Sequence, residues 1–221
     1  MNDRPREIGV GIIGYGTVGT GTVKLLLENA ELLRRRVGVP LRVVRVADID
    51  IVRDRGVKLP EGILIGDGFQ LIRDPEVRIV VELVGGTGAA KDYVLEAIRL
   101  GKAVVTANKA LLAEHGPEIC RAVLSAGTDI GFEASVGGGI PIIRAMREGL
   151  AANRIREIYG IINGTCNYIL SRMSNEGKEY SEVLAEAQRI GLAEADPSFD
   201  VDGIDSAHKL AILVWLATGM Y

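Results

Sequence analysis

The feature that most narrows what this chain can fold into is a strand that runs straight into a glycine turn. Ile8 to Gly14 is apolar and small, the pattern of a strand buried on both faces, and Gly14-Tyr15-Gly16-Thr17-Val18-Gly19 follows at once. From Thr17 to Arg36 the pattern is helical. Strand, glycine turn and helix in that order open a βαβ unit. Gly14 permits the tight turn, Gly16 lets a pyrophosphate approach the backbone, and Gly19 lets helix and strand pack closely. The helix start then offers unbonded N–H groups and the positive end of its dipole to phosphates. Gly14, Tyr15, Gly16, Thr17, Val18 and Gly19 are therefore the candidate cofactor turn. A glycine turn without a ligand is the bland alternative, and the position after a first strand argues against it.

Further strands are expected at Arg42 to Asp48, Arg78 to Val84, Lys102 to Thr106 and Thr128 to Phe132. Helical stretches at Ala89 to Leu100 and Ala110 to Ala126 separate the later ones, and Leu59 to Pro75 receives no element. Such alternation implies α/β architecture: a Rossmann-type, doubly wound parallel sheet covered on both faces. After Glu133 the pattern changes to a glycine-rich loop, a helix at Ile142 to Ala151, a strand at Arg156 to Ile162, and helices from Thr165 and Ser181. The reading is a dinucleotide-binding domain over residues 1–136 and a partial α+β substrate and dimerisation domain over residues 137–221. With one clear strand the second domain looks truncated, and apolar side chains such as Leu213 and Trp215 are expected to be left exposed.

Composition excludes several classes. A chain of 221 residues, 48% hydrophobic and 25% charged, has ample core for one large or two small domains. A net charge of −3 gives no reason to expect nucleic acid as a partner. No apolar leader follows Met1, and the best apolar run, Leu210 to Ala217, is far short of the ~20 residues that span a membrane. Cys120 and Cys166 fall in apolar segments, so a reduced, cytoplasmic setting is expected rather than a disulfide.

Other candidates lie at strand ends, where open α/β sheets bind ligands. Asp48 stands where an acid would bond the 2′-hydroxyl of NAD, whereas Arg53 and Arg55 nearby suit the 2′-phosphate of NADP. Both signals are present, and a solvated loop is as good a reading of the arginines. Gly85-Gly86 and Thr106-Ala107-Asn108-Lys109 follow two later strands; Lys109 could hold a carboxylate or polarise a carbonyl, or simply start a helix. Glu133 to Ile140 reads as a flexible hinge, although exposed carbonyls and a carboxylate can also hold a hard cation. Thr165 fits a helix cap, and Cys166 does not read as a nucleophile. Gly191 to Lys209 gathers Glu194, Asp196, Asp200, Asp202 and Asp205 before one cation, Lys209. Asp205 and Lys209 are four apart and share a helix face, an arrangement able to bind a small zwitterion and hand it a proton. Asp202 also fits an N-cap. The spacing does not suit an EF-hand.

That last segment resembles homoserine dehydrogenase. Ala187, Gly191, Leu192, Ala193, Asp196, Pro197, Asp200, Gly203, Asp205 and Lys209 match that family's signature in order and spacing, and TANK, EASVGGGIP and NGTCNY agree with it along the chain. The resemblance implies reversible reduction of L-aspartate 4-semialdehyde to L-homoserine by NADPH or NADH, with NADP slightly favoured, on the route to threonine, methionine and isoleucine. It implies Lys209 as proton donor and Asp205 as holder of the Lys209 ammonium or the substrate amine. Asp200 then lines the site, Glu194 binds the amine, and Lys109 helps place substrate and nicotinamide. It further implies a monovalent cation, usually sodium, on Glu133 and the carbonyls of Val136, Gly138 and Ile140, and a homodimer or larger assembly. Family members often carry a regulatory ACT domain further along, and none is expected within these 221 residues. The alternatives are another dehydrogenase of this architecture, or a dinucleotide-sensing regulator that would leave Lys109, Asp205 and Lys209 unexplained.

Overall fold

Six parallel strands form one sheet in the computed structural model, which describes residues 7–219. The N-terminal residues 1–6 read above for a leader, and the end at Tyr221, lie outside the described residues. In chain order the elements are β1 (Ile8–Ile13), α1 (Thr17–Glu28), α2 (Ala30–Val37), β2 (Leu41–Ala47), β3 (Leu64–Ile65), α3 (Gly68–Arg73), β4 (Val77–Glu82), α4 (Gly88–Arg99), β5 (Ala103–Thr106), α5 (Lys109–Ala126) and β6 (Ile130–Gly131). The spatial order β3-β2-β1-β4-β5-β6 is that of a doubly wound dinucleotide-binding sheet, reversing direction between β1 and β4. The expected Rossmann-type architecture is what the chain adopts.

Burial explains the strand sequences. β1 and β4 sit at the centre, so their apolar residues follow one another without alternation, although β4 also carries the exposed Arg78 and the buried Glu82. Val10, Ile12, Val23, Val43, Val46 and Val81 form one cluster contributed by β1, β2, β4 and α1. Two local expectations change. The helical stretch from Thr17 breaks at Asn29, which ends α1 and begins α2. The unassigned stretch Leu59 to Pro75 contains β3 and α3, of two and six residues, too short to show a period in sequence.

The chain divides by contacts into two units, Met1–Ser135 and Val136–Tyr221. The regular elements of the second are all helical among its described residues: α6 (Ile142–Arg144) continuing as one π turn (Ala145–Gly149), α7 (Gly164–Glu176), α8 (Tyr180–Arg189), α9 (Ser198–Val201) and α10 (Ile204–Thr218). The strand expected at Arg156 to Ile162 is not formed. Residues 155–161 form no regular element and bend at Gly160; their backbone groups bond nothing among the described residues, and a strand exists only when another pairs with it. Ile169, Val183, Ala187 and Ala193 make the core of this unit. Leu213 is buried and Trp215 half-buried in α10, contrary to the expectation that both would be exposed; Leu210 and Val214 face outward instead.

Candidate functional site

The first constellation sits at the C-terminal ends of β1, β2 and β4. Gly14 has φ +96°, and a Cβ on Gly19 would stand 1.9 Å from the Gly14 carbonyl oxygen, so only glycine lets α1 start this close to β1. A Cβ on Gly16, by contrast, would meet nothing within 4 Å, and that open side borders a cavity of about 310 Å³ lined by Gly14, Gly16, Asp48, Gly66, Val84 and Ala89 among others. No side chain caps α1 and its first turn has no acid, so among the described residues its leading N–H groups are left unclaimed beside that space. An open cradle of backbone donors suits a pyrophosphate, and the residues present fit a dinucleotide.

Asp48, directly after β2, is fixed against this turn. Its Oδ2 accepts the Tyr15 N–H at 2.6 Å, and its Oδ1 accepts the Asp50 N–H at 2.9 Å and an Arg55 N–H at 3.3 Å. The Arg55 guanidinium lies 5.0 Å from the Tyr15 ring centroid, leaving that side chain 9% exposed. Arg55 thus serves Asp48, while the Arg53 side chain is exposed. Burial raises the Tyr15 phenol above its usual range, with Arg55 pulling the other way and Asp54 adding to the rise. Gly85 and Gly86 follow β4 in the left-handed region, at φ 79° and 67°. Thr106 ends β5 fully buried, and Lys109 is the first residue of α5 behind the Asn108 cap. Glu133 lies in a 3₁₀ turn, Glu133–Ser135. In the other unit, Gly137 and Ile140 close a turn, and the Ile140 carbonyl already accepts the Ile142 N–H at 2.8 Å. No group of three or more His, Cys, Asp or Glu residues that could hold a metal occurs among the described residues.

The second constellation lies within the helical unit. Asp205, 4% exposed, stands in the first turn of α10, with Lys209 one turn later. The Lys209 Nζ donates to Asp205 Oδ2 at 2.7 Å and to the Ile162 carbonyl at 2.9 Å. Two of its three donors are thereby assigned. The Asn163 amide donates to Asp205 Oδ2 at 2.9 Å and to Asp200 Oδ1 at 2.8 Å, while its oxygen accepts the Cys166 N–H at 2.8 Å. Asn163 therefore joins two carboxylates and caps α7 at once, a role the sequence reading missed; Asn before a helix start was the available signal. Thr165 is not the cap: its hydroxyl donates to the Leu192 carbonyl at 3.1 Å. Asp202 is not the N-cap of α10 either: left-handed Gly203 takes that place, and Asp202 instead closes the C-terminus of α9. The Cys166 sulfur donates to the Asp200 carbonyl, and burial first, then Asp200 and Asp205, raise its thiol above the usual range, the opposite of an activated nucleophile. Glu194 is exposed, and its backbone carbonyl accepts from Gln188. Asp200, Asp205 and Lys209 are thus brought together through Asn163, while the Glu194 side chain makes no bond to them.

A doubly wound sheet with this glycine turn defines a dinucleotide-binding α/β protein. The family model for "Homoserine dehydrogenase, NAD binding domain" matches residues 14–133, and that for "Homoserine dehydrogenase" matches residues 141–221. The homoserine dehydrogenase of Neisseria gonorrhoeae is 49% identical over 214 residues, 97% of this chain and 49% of that protein. A crystal structure of a homoserine dehydrogenase from Thiobacillus denitrificans is 52% identical with a TM-score of 0.89, covering 97% of this chain and 50% of that one. A hyperthermophilic archaeal homoserine dehydrogenase in complex with NADPH is 28% identical with a TM-score of 0.83, covering 97% and 70%. The chain belongs to the homoserine dehydrogenase family. It spans about half the length of the first relatives it matches.

Proposed function

We propose that the chain carries out the NAD(P)-dependent interconversion of L-aspartate 4-semialdehyde and L-homoserine. The observation that carries this reading is the Lys209 ammonium, held by Asp205 Oδ2 and the Ile162 carbonyl with a donor left over. The reduced nicotinamide supplies a hydride when bound. As hydride reaches an aldehyde carbon, negative charge grows on the oxygen and a proton must meet it. Lys209 is proposed to give that proton, with Asp205 fixing the direction of the ammonium. Asp200 and Glu194 are proposed to bind the substrate amine, and Lys109 to place substrate and nicotinamide. In the reverse direction Lys209 takes the proton from the hydroxyl.

For the cofactor, the geometry at Asp48 supports NAD. Its carboxylate borders the cavity where a 2′-hydroxyl can donate to it, and Arg55, one of the two arginines that favoured NADP in sequence, is engaged with that carboxylate. The family also suggests a monovalent cation on Glu133 and the carbonyls of Val136, Gly138 and Ile140; among the described residues no backbone N–H claims the Val136 or Gly138 carbonyl. A homo-oligomer in a reduced, cytoplasmic setting completes the proposal.

The test is homoserine oxidation followed with NAD and NADP separately, in the wild type and Lys209→Met. General acid–base catalysis is worth ~10²–10⁴-fold, so the variant should lose turnover to that degree while binding dinucleotide as before. Wild-type turnover in Lys209→Met would refute the role of Lys209.

A further inference from the structure

Two loops leave the C-terminal ends of β4 and β5, and one buried carboxylate ties both. Glu82, the last residue of β4, is 0% exposed and lies in register with Ile13 of β1 and Thr106 of β5. Its Oε1 accepts the Val84 N–H at 2.9 Å, and its Oε2 accepts the Thr106 hydroxyl at 2.6 Å. A carboxylate can only accept, so Thr106 must donate to it. The Thr106 oxygen is then free to accept, and it takes the Asn108 N–H at 3.0 Å. The Asn108 amide donates onward to the Gly86 carbonyl at 2.6 Å, and its oxygen accepts the Leu111 N–H at 3.0 Å. Donor and acceptor are assigned at every link, starting from Glu82.

We propose that Glu82 is a positioning residue for the nicotinamide half of the cofactor, fixing through Thr106 and Asn108 the two loops that frame it. This rests on the dinucleotide reading above. In a doubly wound sheet each half takes one mononucleotide. The Gly14–Gly19 turn and Asp48 belong to the β1–β3 half and suit the adenosine side, which leaves the ends of β4 and β5 for the nicotinamide side. Gly85 and Gly86 are both left-handed and have no side chains to anchor their turn. The Val84 N–H and the Gly86 carbonyl are its holds, and both lead back to Glu82. Filling space does not explain a carboxylate at this depth. No cation pairs with it among the described residues, and burying an acid beside neutral donors costs more than burying an apolar side chain of similar size. What an apolar residue cannot do is accept at both oxygens.

The experiment compares two ligands on the chain as it stands, by calorimetric titration: NADH, which fills both halves, and ADP, which lacks the nicotinamide half. Glu82→Gln keeps an acceptor for Val84 but turns an N–H₂ towards Thr106, leaving that hydroxyl without an acceptor. Thr106→Val cuts the same link from the other side. Each is expected to raise the Kd for NADH by ~10-fold or more while leaving that for ADP within about twofold. Circular dichroism melting confirms that the variants are folded. Wild-type NADH affinity in both variants would overturn the proposal, as would equal loss of NADH and ADP, which would make Glu82 a support of the fold alone. Failure of both variants to fold would overturn it in the same sense. If only one folds, that one decides. A wild-type chain binding neither ligand refutes the dinucleotide reading itself, and the inference with it. ADP binding without NADH binding in the wild type refutes the inference alone.

Discussion

Asp48 is one carboxylate serving three neighbours, and its use depends on which of them stays. With Oδ2 on the Tyr15 N–H and Oδ1 shared by the Asp50 N–H and Arg55, the group faces the cavity beside Gly16 as an anionic acceptor. A 2′-hydroxyl can donate to it; a 2′-phosphate would meet like charge, with Arg55 already bound. The wild type should therefore bind NADH more tightly than NADPH. Asp48→Asn removes the charge and releases Arg55, so NADH affinity should fall by ~10-fold, in keeping with a hydrogen bond to a charged group, while NADPH affinity holds or rises. Fluorescence titration with both nucleotides decides it. Tighter NADPH binding in the wild type, with Asp48→Asn leaving the ratio unmoved, would return the preference to NADP.

Among the elements, the α7–α8 hairpin is held from inside and outside. Inside, Ile169 of α7 packs with Val183 and Ala187 of α8. Outside, the Glu186 carboxylate of α8 accepts the Tyr168 hydroxyl at 3.0 Å, Arg172 at 3.2 Å and Lys178 at 3.3 Å. The Tyr168 hydrogen bond first, then Lys178, hold the Glu186 carboxyl below its ordinary value. A depressed carboxyl stabilises the fold above its unfolded titration and loses that contribution as pH falls through the folded one. Glu186→Gln should accordingly lower the urea midpoint at pH 7, and the gap between the two proteins should narrow as the pH falls through the acid range in which the carboxyl protonates. An equal gap throughout would show that charge is not what Glu186 contributes.

On the scale of the whole molecule, the chain combines two units and spans about half the length of the first relatives it matches. The helical unit carries an irregular stretch, unbonded among the described residues, on which Tyr159 is 88% and Ile161 76% exposed, beside a cavity of about 740 Å³ lined by Ile140, Ile158, Leu210 and others. Contiguous apolar surface with free backbone groups invites another chain. Copies of this chain are expected to associate through it, with a sedimentation coefficient that rises with concentration. Ile161→Lys should flatten that rise without changing dinucleotide affinity, since Ile161 lies outside the unit that holds the glycine turn. A rise that persists unchanged would place association elsewhere.

The sequence by itself determined the α/β class, the central strands and the glycine turn, because each is a local pattern: an apolar run, a residue type that alone tolerates a conformation, a helix start. It also placed Asp205 and Lys209 on one helix face, since four residues make about a turn. The tertiary structure decided the rest. Asn163 reaches Asp200 and Asp205 from 37 and 42 residues away, Glu82 meets Thr106 across a strand pair, and Arg55 turns to Asp48, none of which has a sequence period. β3 and α3 are too short to announce themselves and are held by contacts with longer elements. The stretch from Arg156 to Ile162 makes the same point from the other side. Its residues suit a strand, but pairing is a property of two segments, and only the fold shows whether the second is there.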